Sequence, residues 1–322
     1  MSESEREIRR LIETGGPIPF RRFMDLALYH PGGGYYRGRV PDDYYTNAHL
    51  QPVFGRLIAR RISRWRAELG NPADFTVVEL GAGRGETARQ IRAGLPGVRY
   101  VEVEKDSGRL PDPLVGVVFS NEFFDALPVD VVRDGRQQWV GLSDGRLAWV
   151  EGPACPRELA DYLDRFAPSL AAGQTVEAGL EALRWMERIA ESLERGFVLT
   201  IDYGYTAAQI LPGRRFPNGS LMSYSRHQAL EDALADPGQR DITAHVNFTA
   251  LAEHGGALGL DPAPLQTQAE FLLSIGRDDQ FQSALEAASE REAQRHRLQL
   301  KTLLYGMGET FRVLVQTRRP GQ

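Results

Sequence analysis

Thr76-Val77-Val78-Glu79-Leu80-Gly81-Ala82-Gly83-Arg84-Gly85 is a β-branched apolar run that ends in a carboxylate and then alternates glycine with other residues. An apolar run without polar alternation reads as a strand buried on both faces, as in a parallel sheet. The stretch from Glu86 to Ala93 reads as a helix, so the unit is strand, glycine turn, helix. Glycine at positions 81 and 83 permits a tight turn and lets a ligand come against the backbone where a Cβ would block it. Such a unit opens a doubly wound nucleotide fold, whose ligands bind beyond the carboxyl ends of the strands.

Two details select the ligand. A dinucleotide fingerprint runs Gly-x-Gly-x-x-Gly and places a pyrophosphate on the helix N-terminus. Here Gly85 comes one position early, and Glu79 closes the strand just before the turn. A carboxylate repels a pyrophosphate but suits a ligand with a cationic amino-acid end. S-adenosyl-L-methionine carries an ammonium and a sulfonium and no phosphate, so Glu79 with Gly81, Ala82, Gly83 and Gly85 is the candidate donor site. Arg99 to Val103 reads as the second strand, and Glu102 lies about twenty residues past Gly81, where a doubly wound fold puts the acid that holds ribose hydroxyls. Glu104, two residues on, is its rival.

Composition sets wide bounds. The chain has 322 residues, enough for one elaborated core or two domains, and a formal net charge of -5 argues against a nucleic-acid surface. Cys155 is the single cysteine, which rules out an internal disulfide or a cysteine-based zinc site, and the six histidines lack ligand spacing. Met1-Ser2-Glu3-Ser4-Glu5-Arg6-Glu7 has no apolar signal core and is too acidic for a transit peptide, and no apolar run approaches about 18 residues. The expectation is a cytoplasmic protein.

Around the core, periodicity predicts helices over Ser4 to Glu13, Phe20 to Leu28 and Val53 to Leu69, the last opened by Gln51-Pro52. Val115 to Ser120 is a further buried strand that ends in Asn121-Glu122-Phe123-Phe124-Asp125. Asp134-Gly135 and Asp144-Gly145 are hairpin turns and imply a three-stranded meander from about Val129 to Glu151. Helices are expected near Arg157–Phe166 and Glu177–Glu194, then a strand from Phe197 to Ile201 ending in Asp202-Tyr203-Gly204. Tyr205 to Val246 is too long for a plain connection and reads as a functional excursion. Asn247 is placed to cap a helix that stops at Gly255-Gly256; a long helix from Gln280 to Leu304 and a strand from Phe311 to Thr317 close the chain.

The expected fold is α/β, a Rossmann-like, doubly wound, mostly parallel sheet of the class I methyltransferase kind. It carries an N-terminal helical region, a β-meander and a large insertion in the C-terminal half. The linear division is 1–70, helical and contributing to the acceptor site; 71–204, the core with its meander at 129–151; 205–246, the insertion over the active site; and 247–322, the remainder of the core.

In order along nearly the whole chain, several segments resemble the MidA-like family of S-adenosylmethionine-dependent methyltransferases. They are Tyr29-His30-Pro31 with Gly34-Tyr35-Tyr36, Phe54-Gly55, Val78 to Gly85, Asn121 to Val129, Ile201 to Tyr205, Tyr224 with His227, Asp241 to Val246, and Gly306-Met307-Gly308-Glu309. The resemblance implies an enzyme that uses S-adenosylmethionine, and its mitochondrial members methylate an arginine of a respiratory complex I subunit. Three departures stand out. Only Lys105 to Gly116 replaces the family's usual helix and strand after the second strand, which bears on the adenine pocket. Thr46-Asn47-Ala48-His49 replaces Thr-Ser-Pro-Glu, and Asn247 stands where the family usually has Asp.

Methyl transfer from a sulfonium needs alignment of donor and acceptor more than activation. Asn121 and Glu122 sit at a strand end where acceptor-side groups belong, and Glu122 with Asp125 could grip a guanidinium in a fork. Because a guanidinium has a pKa above about 12, carboxylates must orient it and take its proton as the bond forms. Asp202 and Asp241 with His245 are further candidates, and Tyr35, Tyr36, Tyr44, Tyr45 and Tyr224 could wall a slot for a cation, or simply pack. The leading reading is transfer to a protein arginine. A small-molecule acceptor, or an assembly protein that keeps the fold without turnover, remain the alternatives, since fold alone does not separate them.

Overall fold

The computed structural model describes residues 1–37, 50–168, 170–210, 216–225, 228–230 and 232–319. Tyr44, Tyr45, the Thr46 to His49 segment and His227 therefore lie outside the described residues. Contacts gather the chain into two units, each discontinuous in sequence: Met1–Tyr44 with Phe124–Arg184 and Tyr205–Ala250, and Tyr45–Phe123 with Trp185–Gly204 and Leu251–Gln322.

The second of these holds the main sheet. Its principal strands are β1 Thr76–Leu80, β2 Arg99–Val103, β3 Leu114–Asn121, β4 Leu193–Tyr205 and β5 Phe311–Arg318. They lie in the order β2-β1-β3-β4-β5, with the first four parallel and β5 antiparallel to β4. All five residues of β1 are buried, as a strand covered on both faces requires. After β2 the chain makes only a Glu104–Ser107 bridge before β3, so the shortened segment adds no further named strand beside β2.

The helix Val53–Glu68 presents Phe54, Leu57, Ile58, Ile62 and Trp65 to a core that includes Val77, Val117, Phe119, Leu199, Ile201 and Phe311. Those positions recur at helical spacing, so one face is apolar and the other carries arginines. Trp65 is fully buried and its ring stacks on Phe197 with centroids 4.8 Å apart.

The other unit packs the helices Glu3–Gly15 and Phe20–Tyr29 on an antiparallel sheet. The meander runs through Asp130–Arg133, Arg136–Ser143 and Arg146–Ala154, with positive φ at both residues of each Asp-Gly turn, the geometry of a type I′ hairpin. It belongs with the N-terminal helices, not with the parallel sheet. Within 205–246 the chain forms a short helix, Ala207–Ile210, and a small sheet of Met222–Ser225, Gln228–Leu230 and Asp241–Thr243.

Three helix boundaries differ from expectation. Thr175–Ala178 is a strand paired with Asp130–Arg133, and the helix starts only at Leu180. Asn247 does cap its helix, accepting from the Ala250 N–H at 3.2 Å, but the helix Phe248–Ala257 runs on through both glycines. The C-terminal helix spans Glu290–Lys301 and not Gln280 to Leu304: Gln280 and Phe281 adopt left-handed backbone, and extended Ser289 caps the start by accepting from the Glu292 N–H. Trp65→Ala is expected to destabilise the protein by about 3–5 kcal/mol, the scale for emptying a buried aromatic site, as read by denaturant unfolding.

Candidate active site

The four parallel strands end on one edge of the sheet, and each brings a polar group there. In register, Glu79 lies beside Glu102, Leu80 beside Ser120, and Asn121 beside Ile201, one residue before Asp202. An edge of this kind is where open α/β sheets hold ligands.

On the donor side, Gly81, Gly83 and Gly85 have φ of 68°, 56° and 70°, and Gly85 leads into the helix Glu86–Gly94. A Cβ at Gly81 would stand 2.8 Å from the Phe123 ring, which closes that position to every side chain. A Cβ at Gly83 would meet nothing within 4 Å, so open space lies over its backbone. The Gly83 N–H donates to Glu104 at 3.1 Å. Glu79, only 4% exposed, accepts from the Tyr100 hydroxyl at 2.7 Å. Burial raises its carboxyl from the ordinary 4.5 to about 7, against the Tyr100 hydrogen bond and with a smaller push from Glu102 and Glu104. Burial and the Glu79 carboxylate together push the Tyr100 phenol far up.

Of the two acids weighed at the end of β2, Glu104, just past the strand, reaches the glycine turn, while Glu102 is bonded to Arg92 at 2.5 Å. Open backbone at Gly83 between the Glu79 and Glu104 carboxylates fits a ligand with an ammonium and a sulfonium better than one with a pyrophosphate.

On the acceptor side, Asn121 ends β3 and its amide donates to Glu122 Oε1 at 2.9 Å. Glu122 has φ 54°, a left-handed conformation that costs a non-glycine residue about 1 kcal/mol. Neighbours hold it there: its N–H donates to Ile201 O at 3.0 Å, and the Phe123 N–H donates to Asp202 Oδ2 at 3.2 Å. Asp202 is fully buried and also accepts from the Tyr203 N–H at 2.8 Å. Its oxygens thus accept backbone N–H groups from the turn after β3 and from its own strand.

Asp125, Asp241 and His245 lie in the other unit. Asp125 is buried and its carbonyl accepts from the Ala244 N–H at 2.9 Å. Asp241, also buried, accepts from the Tyr36 hydroxyl at 2.8 Å, and burial together with that carboxylate raises the Tyr36 phenol. Tyr36 packs against Tyr29 and Tyr35, so these rings serve as packing around a polar contact. The His245 imidazole stands between the rings of Tyr205 and Phe216, and its N–H backbone donates to Ser220 Oγ, which the buried Glu177 carboxylate holds in turn. Tyr100 and Arg92 escaped the reading of the sequence. The signal was there in strand parity: Tyr100 shares a face of β2 with Glu102, whose register partner is Glu79.

Comparison with known proteins defines the class. Residues 96–265, more than half of the chain, match the family described as "Putative S-adenosyl-L-methionine-dependent methyltransferase". A solved Burkholderia thailandensis structure bound to S-adenosyl-homocysteine is 29% identical and superposes with a TM-score of 0.85, covering 98% of this chain and 91% of that one. The chain belongs to this S-adenosylmethionine-dependent methyltransferase family, with a mixed α/β sheet and S-adenosylmethionine as its cofactor. Among curated relatives, the mitochondrial protein arginine methyltransferase NDUFAF7 homolog of Drosophila melanogaster is 28% identical over 76% of this chain and 68% of its own length. The human mitochondrial protein arginine methyltransferase NDUFAF7 is 26% identical over 95% of this chain and 81% of its own. These relatives overturn the cytoplasmic expectation: they are named as mitochondrial proteins, and the acidic start of this chain is no guide to compartment.

Two outcomes follow from this geometry. Asp202→Ala leaves the Phe123 and Tyr203 N–H groups without their acceptor; unfolding measurements should show a loss of about 1–3 kcal/mol, with turnover falling further than cofactor affinity. The second concerns pH. Folded Glu79 keeps its proton to about pH 7, whereas the unfolded carboxyl loses it near 4.5, so the folded state binds more protons in between and stability falls as pH rises. This group alone should lower the free protein's stability by about 3 kcal/mol between pH 4.5 and 7.5, and Glu79→Gln should flatten that part of the profile.

Proposed function

We propose that this methyltransferase acts on arginine side chains of a protein acceptor, on a class I, doubly wound fold with Asn121 and Glu122 as its acceptor-side groups. The observation that carries the reading is the Asn121-Glu122 turn, a carboxylate kept in left-handed backbone against the glycine turn through the Gly81–Phe123 approach. The names of the curated relatives support the acceptor, and the order β2-β1-β3-β4-β5 with an antiparallel last strand supports the class. Glu79 and Glu104 flank the donor backbone, with Gly81, Ala82, Gly83 and Gly85 as its surface.

S-adenosylmethionine, when bound, supplies a methyl group already activated by its sulfonium. Glu122 accepts an N–H of the guanidinium and takes the proton released as the carbon–nitrogen bond forms, which a carboxylate does where a free base of matching pKa is out of reach. Asn121 keeps the Glu122 carboxylate oriented. Asp202 holds the backbone beneath both. The Asn247 departure bears on packing: its amide accepts from Ala250 N–H and donates to Phe166 O, a donation no aspartate can make.

Glu122→Gln should leave S-adenosylhomocysteine affinity nearly unchanged while turnover falls by about a hundredfold or more. The acceptor is read by mass spectrometry after incubating the protein and methyl-labelled S-adenosylmethionine with a cell lysate. Methylarginine in the protein hydrolysate supports the proposal; label confined to a small molecule refutes it.

A further inference from the structure

We propose that Tyr100 is a positioning residue of the donor site: from the neighbouring strand its hydroxyl fixes the Glu79 carboxylate and makes cofactor binding proton-coupled. This rests on the assignment of the glycine turn as the donor site.

The geometry begins with register. Val77 lies beside Tyr100 and Glu79 beside Glu102 on parallel strands, so Tyr100 shares Glu79's face of the sheet and reaches one step forward to it. The hydroxyl donates to Glu79 Oε2 at 2.7 Å. A phenol O–H donated to a carboxylate oxygen favours the anionic form of its partner. The Arg92 guanidinium covers the Tyr100 ring at 4.8 Å and pairs with Glu102 at 2.5 Å, which fixes the ring from outside. The charged and titratable groups facing Glu79 are thus Tyr100 and Glu102 from β2, Glu104 just after it and Arg92 from the helix Glu86–Gly94, while β3 offers apolar Phe119 in register.

Burial dominates this set and raises the Glu79 carboxyl to about 7, so near neutral pH the free protein holds a proton there that a bound cation can displace. An incoming ammonium favours the carboxylate, and binding then expels the Glu79 proton to solvent. By linkage, affinity falls as pH drops below that value and levels off above it. Loss of the Tyr100 hydroxyl removes a hydrogen bond that favours the anion, so the break must move to higher pH.

The test is calorimetric titration with S-adenosylhomocysteine between pH 5.5 and 8.5, on the full chain, in two buffers of different ionisation enthalpy. Wild type should release a fraction of a proton at pH 6.5 and gain about tenfold in affinity from pH 6 to pH 8. Tyr100→Phe should shift the break upward by about half to one pH unit, with binding several-fold weaker at pH 7 and unchanged at pH 8.5. Glu79→Gln should show neither the break nor the proton release. An equal loss at every pH in Tyr100→Phe, or a profile identical to wild type, overturns the inference. Gly83→Val separates the two levels: undiminished binding refutes the donor-site assignment itself, whereas abolished binding with an unshifted Tyr100→Phe profile refutes only the role of Tyr100.

Discussion

The absence of one carbon atom at Gly81 governs this site. Any side chain there would strike the Phe123 ring, and Phe123 follows directly on the pair that we assign to the acceptor. Glycine therefore serves two ends at once. Its positive φ turns the chain out of β1, and its missing Cβ lets the turn after β3 come against it. Ridges of this kind transmit position because a packed interior does not deform continuously. A shift of Phe123 would be felt at Glu122 on one side and at the donor backbone on the other. Asp202 secures the same turn from beneath, through the Phe123 N–H, so three adjacent strand ends form one rigid construction.

Much of this was legible in the chain. The buried strands announced themselves because a strand covered on both faces needs no polar alternation, and β1, β3 and β5 fall where apolar runs placed them. The hairpins were readable because Asp-Gly meets the positive φ of a type I′ turn almost unaided. Local chemistry fixes such features, and local chemistry is what a sequence displays. What the sequence hid depends on pairing across strands. Glu79 reads as a donor-site group at a strand end; its bond to Tyr100 follows only once β2 is set beside β1 in register. The Arg92 partner of Glu102 was hidden for the same reason, since it comes from a helix. The backbone N–H groups that Asp202 accepts from were equally invisible, because one of them lies on the turn after β3. The break before Glu290 was hidden too, because left-handed backbone at Gln280 and Phe281 has no signature in residue type.

Two features at this edge of the sheet share a property that ordinary packing does not explain: each lowers stability. Glu122 is held in a conformation that glycine would adopt freely. Glu79 is a carboxyl kept out of water and bonded to a phenol. A leucine at 79 and a glycine at 122 would give a more stable sheet edge by the same physics that shapes the rest of the core. Strain and a displaced protonation equilibrium persist where the surrounding structure over-determines them, and they cluster where a protein acts on a ligand. That the two meet on either side of Gly81 is the strongest structural reason to place the chemistry there. The carboxylates also differ in environment: Glu79 is buried, Glu104 is exposed and accepts from the Gly83 N–H, and Glu122 is half-buried beside the Asn121 amide.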